Sequence, residues 1–281
     1  MHKTLISAEL LKDHLADPDW VVFDCRFALD DPDWGSGEYE GSHVPGARYA
    51  HLDRDLAAPR GPGTGRHPLP EPDTFIGWLG RNGVDTAKQV VVYDQGGGAF
   101  AARLWWMLRW VGHKAAAVLD GGWAAWTAAG YPVSDEVPVP ESVDFEGSVN
   151  DSLWLTSEQL EKALDEGMVR LVDARGAERF RGDSEPIDPV AGHVPGAVNL
   201  PFAGNLDEQG QFKDREMLRG RFEAVASDVS SEQVVHMCGS GVTAAHNLLA
   251  MEAAGLTGSK LYAGSWSEWI ADPDRPVARG E

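Results

Sequence analysis

The residue best suited to chemistry is Cys238, which ends the apolar run Val234–Met237 and precedes a short Gly/Ser loop. A pattern rich in Ala, Leu and Met, typical of a helix, follows this loop to about Met251. A cysteine between a strand and a helix N-terminus meets inward-pointing backbone N–H groups and the positive end of a helix dipole. Because that environment favours a thiolate, Cys238 is the candidate catalytic nucleophile.

The loop around this cysteine lacks the arginine that phosphate hydrolysis would need. A cysteine phosphatase needs an arginine after five intervening residues to hold the phosphate oxygens, and this chain has Ala244 there. His236, two residues before the cysteine, does not supply the missing guanidinium. Without that arginine, a ring of backbone N–H donors can still stabilise an anionic sulfur as it would an oxyanion.

The other loop residues are candidate substrate contacts. Gly239 and Gly241 let the backbone turn inward without a Cβ clash. Val242 and Thr243 complete a loop that we expect to cradle one sulfur atom. Ser240 can donate its hydroxyl to a substrate carbonyl or relay a proton, and its alternative role is to stabilise the loop.

The chain contains one internal duplication. Four pairs of similar segments occur in the same order, which indicates a duplicated domain rather than a short repeat. The pairs are Val21–Arg26 with Arg170–Arg175, Gly41–Ala47 with Ala191–Ala197, Val90–Asp94 with Val234–Cys238, and Gly121–Trp126 with Gly264–Trp269. This register places Asp94 opposite Cys238. Since an aspartate cannot form a persulfide, we expect the first copy to be non-catalytic.

Each copy has the pattern of an α/β fold. Short Val/Ile-rich runs alternate with helical stretches, which predicts a mostly parallel sheet flanked by helices. Ser157–Leu164 predicts a helix that begins near Thr156, and Leu104–Trp110 predicts a buried helix that ends at Gly112.

A stretch rich in proline and acidic residues, Ser134–Glu141, has the composition of a linker. We therefore expect a non-catalytic domain at 1–135, a linker at 136–150 and a catalytic domain at 151–281.

Composition excludes several classes of partner. The formal net charge is −20, which argues against nucleic acid and anionic membranes as partners.

No apolar run is long enough to span a bilayer, and the first residues lack the apolar stretch of a signal peptide, so a cytoplasmic location is expected. Two cysteines are too few for a disulfide framework, and no cluster has metal-ligand spacing. The other cysteine, Cys25, matches Ala174 in the repeat and is predicted to be an inert buried thiol.

The loop Cys238–Ala244 resembles the active-site loop of the tandem-domain rhodanese family of 3-mercaptopyruvate and thiosulfate sulfurtransferases. The two His-Val-Pro-Gly-Ala segments, Tyr93-Asp94, Arg103–Arg109 and Gly264–Trp269 are similar to the same family, so the resemblance covers nearly the whole chain. It implies two tandem rhodanese-like domains and an enzyme without a metal or organic cofactor. It also implies that Cys238 takes sulfur from a small anionic donor and passes it to cyanide, a thiol or a thioredoxin-like acceptor.

The resemblance also bears on the donor. It implies that Arg179 binds the donor's carboxylate or sulfonate, whereas a surface salt bridge is the alternative role. The neutral pair Gly239-Ser240 resembles members that use mercaptopyruvate, since thiosulfate-preferring members have cationic side chains there. Animal mercaptopyruvate enzymes have a second substrate arginine soon after the first, and Ser184–Pro189 contains none. Mercaptopyruvate is the preferred prediction, thiosulfate is the alternative, and Arg181 is a candidate replacement.

A proton relay is the last role that the resemblance suggests. Related enzymes are proposed to use a histidine of the first domain with an aspartate and the loop serine, which makes His43 a candidate with Asp33 or Asp31. His193 occupies the equivalent place in the second copy, and this repetition favours a structural role for both histidines.

A long Pro/Gly-rich surface loop is predicted from Ala58 to Pro72. Arg66 and His67 within it either supply positive charge to the substrate cleft or form a surface pair. A non-catalytic module of the same fold, which binds a partner or carries sulfur, is the alternative from another functional class. Such a module would lack the cysteine in both copies, so Cys238 favours an enzyme.

Overall fold

The computed structural model describes all 281 residues, which divide into two compact units. Unit 1 comprises Met1–Ala58, Leu69–Asn150 and Glu208–Phe212, and unit 2 comprises Pro59–Pro68, Asp151–Asp207 and Lys213–Glu281. Ten residues from the first half of the sequence, Pro59–Pro68, therefore belong to unit 2.

Unit 1 is built on a five-stranded parallel sheet in the order β1-β5-β4-β2-β3. Its strands are β1 Leu5–Ile6, β2 Trp20–Asp24, β3 Arg48–Tyr49, β4 Gln89–Tyr93 and β5 Ala116–Leu119. Its helices are α1 Ala8–Asp13, α2 Trp34–Gly41, α3 Pro72–Arg81, α4 Ala101–Trp110 and α5 Gly122–Ala128. Every residue of the central strand β4 is buried, in agreement with its apolar run Val90–Tyr93.

Unit 2 repeats this topology with the order β6-β10-β9-β7-β8, again with all strands parallel. Its strands are β6 Trp154–Leu155, β7 Arg170–Asp173, β8 Val198–Asn199, β9 Val234–Met237 and β10 Lys260–Tyr262. Its helices are α6 Ser157–Asp165, α7 Ala177–Arg181, α8 Arg215–Ala226, α9 Thr243–Ala253 and α10 Ser265–Trp269. The predicted fold class, two α/β repeats with parallel sheets, is confirmed.

Side-chain hydrogen bonds to backbone N–H groups occur where two of the predicted helices begin. The Thr156 hydroxyl accepts the N–H of Gln159, and the Gln159 side chain accepts the N–H of Thr156, so α6 begins at Ser157 as predicted. Helix α4 begins at Ala101 rather than Leu104, and the Asp94 carboxylate accepts the N–H groups of Ala101 and of Phe100, the residue before the helix.

The two units share details of core packing. Trp126 and Trp269 are buried at equivalent places, and their indole N–H groups donate to the carbonyls of Pro132 and Pro276. The 136–150 segment has no helix or strand. This segment belongs to unit 1, and its backbone N–H groups donate to other parts of that unit, as when Ser148 donates to the Val111 carbonyl. None of the helices is both long and apolar enough to cross a membrane.

Candidate active site

Cys238 directly follows β9, and its loop leads into α9. The cysteine is 2% exposed, and its N–H donates to the Ser265 hydroxyl at 3.0 Å. The carbonyls of Cys238 and Gly239 accept the N–H groups of Trp266 and Ser267 at 3.0 and 2.9 Å. The first residues of α10 therefore hold the cysteine loop in place from one side.

Two residues beside the contact between the cysteine loop and α10 have positive φ angles. Gly241 has φ +77°, and a Cβ there would collide with the carbonyl oxygen of Ala263. This explains the glycine, whose inward turn was expected from the sequence. Ser265 has φ +54° without being glycine, and its hydroxyl also donates to the Tyr262 carbonyl at 2.9 Å. Its two hydrogen bonds compensate for a backbone conformation that serine rarely adopts.

The equivalent loop of unit 1 shows what such a backbone binds. One Asp94 carboxylate oxygen accepts the N–H groups of Gly96 and Gly98, both at 3.0 Å. The other accepts the N–H groups of Phe100 and Ala101 at 2.8 and 3.2 Å. Four backbone donors thus converge on one anionic side chain. The repeat puts Cys238 at the same place in unit 2, after the equivalent strand and before the equivalent helix.

Ser240 forms a hydrogen-bonded pair with a residue 173 positions away. Its hydroxyl oxygen lies 2.7 Å from Nδ1 of His67, and both side chains are buried. The loop that carries this histidine is fixed nearby, because the N–H of Arg66 donates to the Ser267 hydroxyl at 3.0 Å. The sequence interpretation of His67 included only a source of charge or a surface residue, so the pairing with Ser240 was missed.

Two guanidinium groups lie next to the cysteine loop. Arg179, in α7, donates through Nε to Glu185 at 3.0 and 3.1 Å and through Nη2 to Asp188 at 3.0 Å. Arg66 forms an ion pair with the other oxygen of Asp188. A Cβ on Gly239 would lie 2.6 Å from Nη2 of Arg66 and 3.5 Å from Nη2 of Arg179. The predicted Arg179 is therefore beside the loop, together with a second arginine.

The carboxylates around these arginines are buried. Burial alone would raise the pKa of Glu185, but hydrogen bonds from Arg179 and from the N–H of Asp188 outweigh it and hold this pKa below its ordinary value. Arg175 also approaches Glu185, at 3.4 Å, while it forms a buried salt bridge with Asp173 at 2.7 Å. Positive and negative side chains thus alternate beside the cysteine loop.

His43 makes backbone contacts within unit 1. Its Nδ1 lies 2.7 Å from the Tyr39 carbonyl and its Nε2 lies 3.1 Å from the Glu136 carbonyl, while its ring stacks on Tyr39. His193 makes the matching contacts in unit 2, with Nδ1 2.8 Å from the Phe180 carbonyl and its ring stacked on Phe180. Both histidines therefore fix the same turn in their own repeat.

The other predicted residues have simpler surroundings. Asp33 is exposed at the start of α2, and its carbonyl accepts the Ser36 hydroxyl. Val242 is buried directly before α9, and Thr243 is the first residue of that helix. Arg181 is partly exposed and pairs with Asp183 at 2.8 Å.

The second cysteine lies in a different environment. Cys25 is buried, and burial together with the nearby Asp24, Asp94 and Asp55 raises its pKa well above the ordinary value. Its thiol therefore stays protonated, as expected for an inert buried cysteine.

Comparisons with known proteins match both units to one family. The sequence model of the rhodanese-like domain family matches residues 7–129 and 156–272. A Pseudomonas aeruginosa protein named "Probable 3-mercaptopyruvate sulfurtransferase" is 48% identical over 279 residues, which cover 99% of this chain and 98% of that protein. The thiosulfate sulfurtransferase of Bos taurus is 37% identical over 253 residues, 87% of this chain and 83% of that protein. The crystal structure of the 3-mercaptopyruvate sulfotransferase SseA from Escherichia coli is similar with a TM-score of 0.82 and 31% identity, covering 95% of this chain and 100% of that chain.

Proposed function

We propose that this chain, which belongs to the rhodanese family, moves a sulfane sulfur from 3-mercaptopyruvate to a thiophilic acceptor through a persulfide on Cys238. It is a sulfurtransferase, as its full-length relatives are. The position of Cys238 carries the proposal, because in unit 1 the same place holds a carboxylate that accepts four backbone N–H bonds. In this proposal residues 151–281 form the catalytic domain, 136–150 the linker and 1–135 the non-catalytic domain.

The first step loads one sulfur atom onto the enzyme. The Cys238 thiolate attacks the sulfur of 3-mercaptopyruvate, an S–S bond forms, and the donor's C–S bond breaks with its electron pair passing to the methylene carbon. The proton of the donor's SH group ends on that carbon. The products are pyruvate and a persulfide anion, which the backbone N–H groups of the loop stabilise.

The proton in this step needs a carrier. Ser240 and His67 are 2.7 Å apart, within the distance for direct proton transfer, and both are buried beside the loop. In our proposal they take the proton from the donor's sulfur and return it to the methylene carbon. The alternative relay through His43 and Asp33, which the family resemblance suggests, stays a prediction.

The second step regenerates the thiolate. Cyanide attacks the outer sulfur of the persulfide, the S–S bond breaks with its electron pair returning to Cys238, and thiocyanate leaves. A thiol or a thioredoxin-like acceptor would attack the same sulfur. No proton transfer is required when cyanide is the acceptor.

Thiosulfate is the second candidate donor. Attack on its outer sulfur forms the same persulfide and releases sulfite with the electron pair of the broken S–S bond. The absence of an arginine from Ser184–Pro189 and the similarity to the bovine thiosulfate sulfurtransferase favour this alternative. In both cases Arg179 is proposed to bind the donor's anionic group.

Intact mass spectrometry tests the proposal. After incubation with each donor and removal of small molecules, we expect the wild-type protein to gain the mass of one sulfur atom, and Cys238→Ser to gain none. The Cys25→Ser variant is the matched control and should gain sulfur like the wild type. If no donor loads the wild-type protein, it is a non-catalytic module and the proposal is wrong.

A further inference from the structure

We propose that a groove of unit 2 beside α8 binds a small carboxylate that carries an apolar chain. This α8 groove is lined by two cations and four apolar side chains; they are Lys213 and Arg221 with Leu200, Met217, Ala224 and Val225. Its volume of about 450 Å³ is in the range of small-molecule sites, with room for about 15 non-hydrogen atoms at the ~30 Å³ that one water molecule occupies. None of these residues belongs to the cysteine loop or to the charged side chains beside it, so the inference is independent of the proposed sulfur transfer.

The guanidinium of Arg221 is held in place at the wall of the α8 groove. Its Nε donates to Oδ1 of Asn205 at 3.0 Å, and its Nη2 donates to the Pro201 carbonyl. It lies so close to Gly204 that a Cβ there would be 2.5 Å from its Cζ, which explains the glycine. Asn205 is fully buried and is fixed in turn, since it donates to Oδ1 of Asn247 at 2.7 Å. A guanidinium whose position is set before binding loses little side-chain freedom when an anion arrives.

This arrangement leaves one nitrogen of Arg221 for a ligand. Nη1 takes part in neither of the two hydrogen bonds, has no other partner in the protein and still reaches solvent. The ammonium group of Lys213 lies next to it in the fold, because it donates to the carbonyl of Gly204 at 2.8 Å. That bond uses one of its three N–H donors. Both cations therefore retain donors for an anion in the α8 groove.

Neither of these cations is neutralised by the protein. No carboxylate oxygen lies within 4 Å of Lys213 or Arg221. Burial lowers the pKa of Arg221, and no acidic group acts to raise it. Arg219, two residues earlier on α8, pairs with Glu223 at 2.8 Å. In a chain with a formal net charge of −20, two unneutralised cations beside Gly204 indicate that the missing negative charge comes from a ligand.

The remaining walls of the α8 groove suit an apolar chain. Met217 and Val225 lie four residues before and after Arg221, so they share its face of the helix one turn away on either side. The Met217 side chain is 61% exposed, and a flexible thioether adapts to the shape of an apolar partner. Leu200, at the end of edge strand β8, is buried in the opposite wall. An inorganic anion would leave these side chains unused, whereas a carboxylate with an alkyl chain contacts both the cations and the apolar walls.

Titration calorimetry with octanoate tests this inference. We expect octanoate to bind the wild-type protein, and octanol and acetate to bind about 10-fold more weakly or less, since each supplies only one of the two kinds of contact. Arg221→Gln should weaken octanoate binding about 10-fold or more, the effect of losing a hydrogen bond to a charged group. Lys213→Gln should weaken it about 3-fold, because an ammonium does not bind a carboxylate in the paired way of a guanidinium. Arg219→Gln, the matched control on the same helix, should stay within about 2-fold.

A second variant keeps the test decisive if Arg221→Gln does not fold. Ala224 is exposed on α8 and lines the groove without bonding to Arg221. Ala224→Phe should fill the groove and abolish octanoate binding, while Ala224→Ser should retain it. Thermal unfolding should show that both variants keep the wild-type melting temperature within a few degrees.

The same titrations show when the inference is wrong. It is overturned if octanoate does not bind the folded wild-type protein, if octanol binds as tightly as octanoate, or if Ala224→Phe binds octanoate like Ala224→Ser. Excess thiosulfate should not displace octanoate, and displacement would place the ligand beside Cys238 instead of the α8 groove. If octanoate binds as expected but the wild-type protein gains no sulfur from any donor, the sulfur transfer alone is wrong.

Discussion

The loop after β4 and the loop after β9 have the same backbone plan and different central side chains. In unit 1 the Asp94 carboxylate accepts the converging N–H groups, so the donors are satisfied within the protein. In unit 2 the equivalent position holds Cys238, whose side chain is a buried thiol rather than a carboxylate. The loop of unit 1 therefore binds its own side chain, and the loop of unit 2 is the one to which we assign the sulfur transfer proposed above.

Other pairs of equivalent residues are either alike in both copies or differ between them. Arg26 and Arg175 each bind an aspartate two residues earlier and lie over a tryptophan ring, at 4.6 Å from Trp123 and 4.7 Å from Trp266. Contacts that both copies retain thus serve the fold. The repeat places Gly96 where unit 2 has Ser240. Ser240, which only the second copy has and which pairs with His67 of unit 2, is the better candidate for function.

The largest predicted effect on stability comes from emptying the cradle of unit 1. Asp94→Ala removes the acceptor of four N–H groups, two of them buried, and we expect it to lower the free energy of unfolding by about 3 kcal/mol. Urea unfolding followed by circular dichroism measures the change. Cys238→Ala, the equivalent truncation in unit 2, should cost no more than about 1 kcal/mol, since only a thiol is lost. Equal costs would mean that the two loops do not differ as described.

The next prediction concerns Ser240, whose equivalent position in unit 1 holds Gly96. Ser240→Ala should lower kcat with 3-mercaptopyruvate about 100-fold, because a proton must reach the methylene carbon as pyruvate forms. It should change kcat with thiosulfate only a few-fold, because sulfite leaves without a proton transfer. His67→Gln should likewise lower kcat with 3-mercaptopyruvate more than kcat with thiosulfate, because the imidazole of His67 is hydrogen-bonded to the Ser240 hydroxyl.

The variant His43→Asn sharpens this comparison. Because His43 contacts backbone carbonyls as His193 does in the other repeat, its loss should reduce stability and leave the ratio of the two donors' kcat values unchanged. A selective loss with 3-mercaptopyruvate in His43→Asn, but not in His67→Gln, would assign the relay to His43 instead.

The sequence predicted what depends on local pattern. Val/Ile-rich runs alternating with helical stretches, present twice, predicted two parallel sheets. The segment Ser157–Leu164 predicted a helix that begins near Thr156, where the cap is satisfied within four residues. The pairing of Ser240 with His67 spans 173 residues and joins two irregular loops, so no periodicity indicates it. Arg66 was missed as a partner of Arg179 for the same reason. Arg181 was the candidate for a second substrate arginine because it is close to Arg179 along the chain, and a sequence shows only that kind of proximity.

The smallest predicted effect compares the two central strands. The repeat places Val92 of β4 opposite His236 of β9, and both are fully buried. Burial lowers the pKa of His236 from 6.5 to about 3. The unfolded chain therefore takes up a proton near pH 6.5 that the folded chain refuses until much lower pH, so acid favours unfolding. His236 should cost about 2 kcal/mol of stability between pH 7 and pH 5.

Converting β9 to the pattern of β4 should remove this penalty. His236→Val, with His236→Leu as a second variant closer in volume, should give a free energy of unfolding that falls less than that of the wild type as pH decreases from 7 to 5. The pH dependence is the informative quantity, since lost packing against Phe222 and Met251 lowers stability equally at both pH values. Other buried histidines with a lowered pKa, such as His113, remain in every variant, so the difference isolates His236. Parallel curves for wild type and variants would show that His236 does not contribute to the acid sensitivity, and that the two strands differ in sequence without differing in their response to pH.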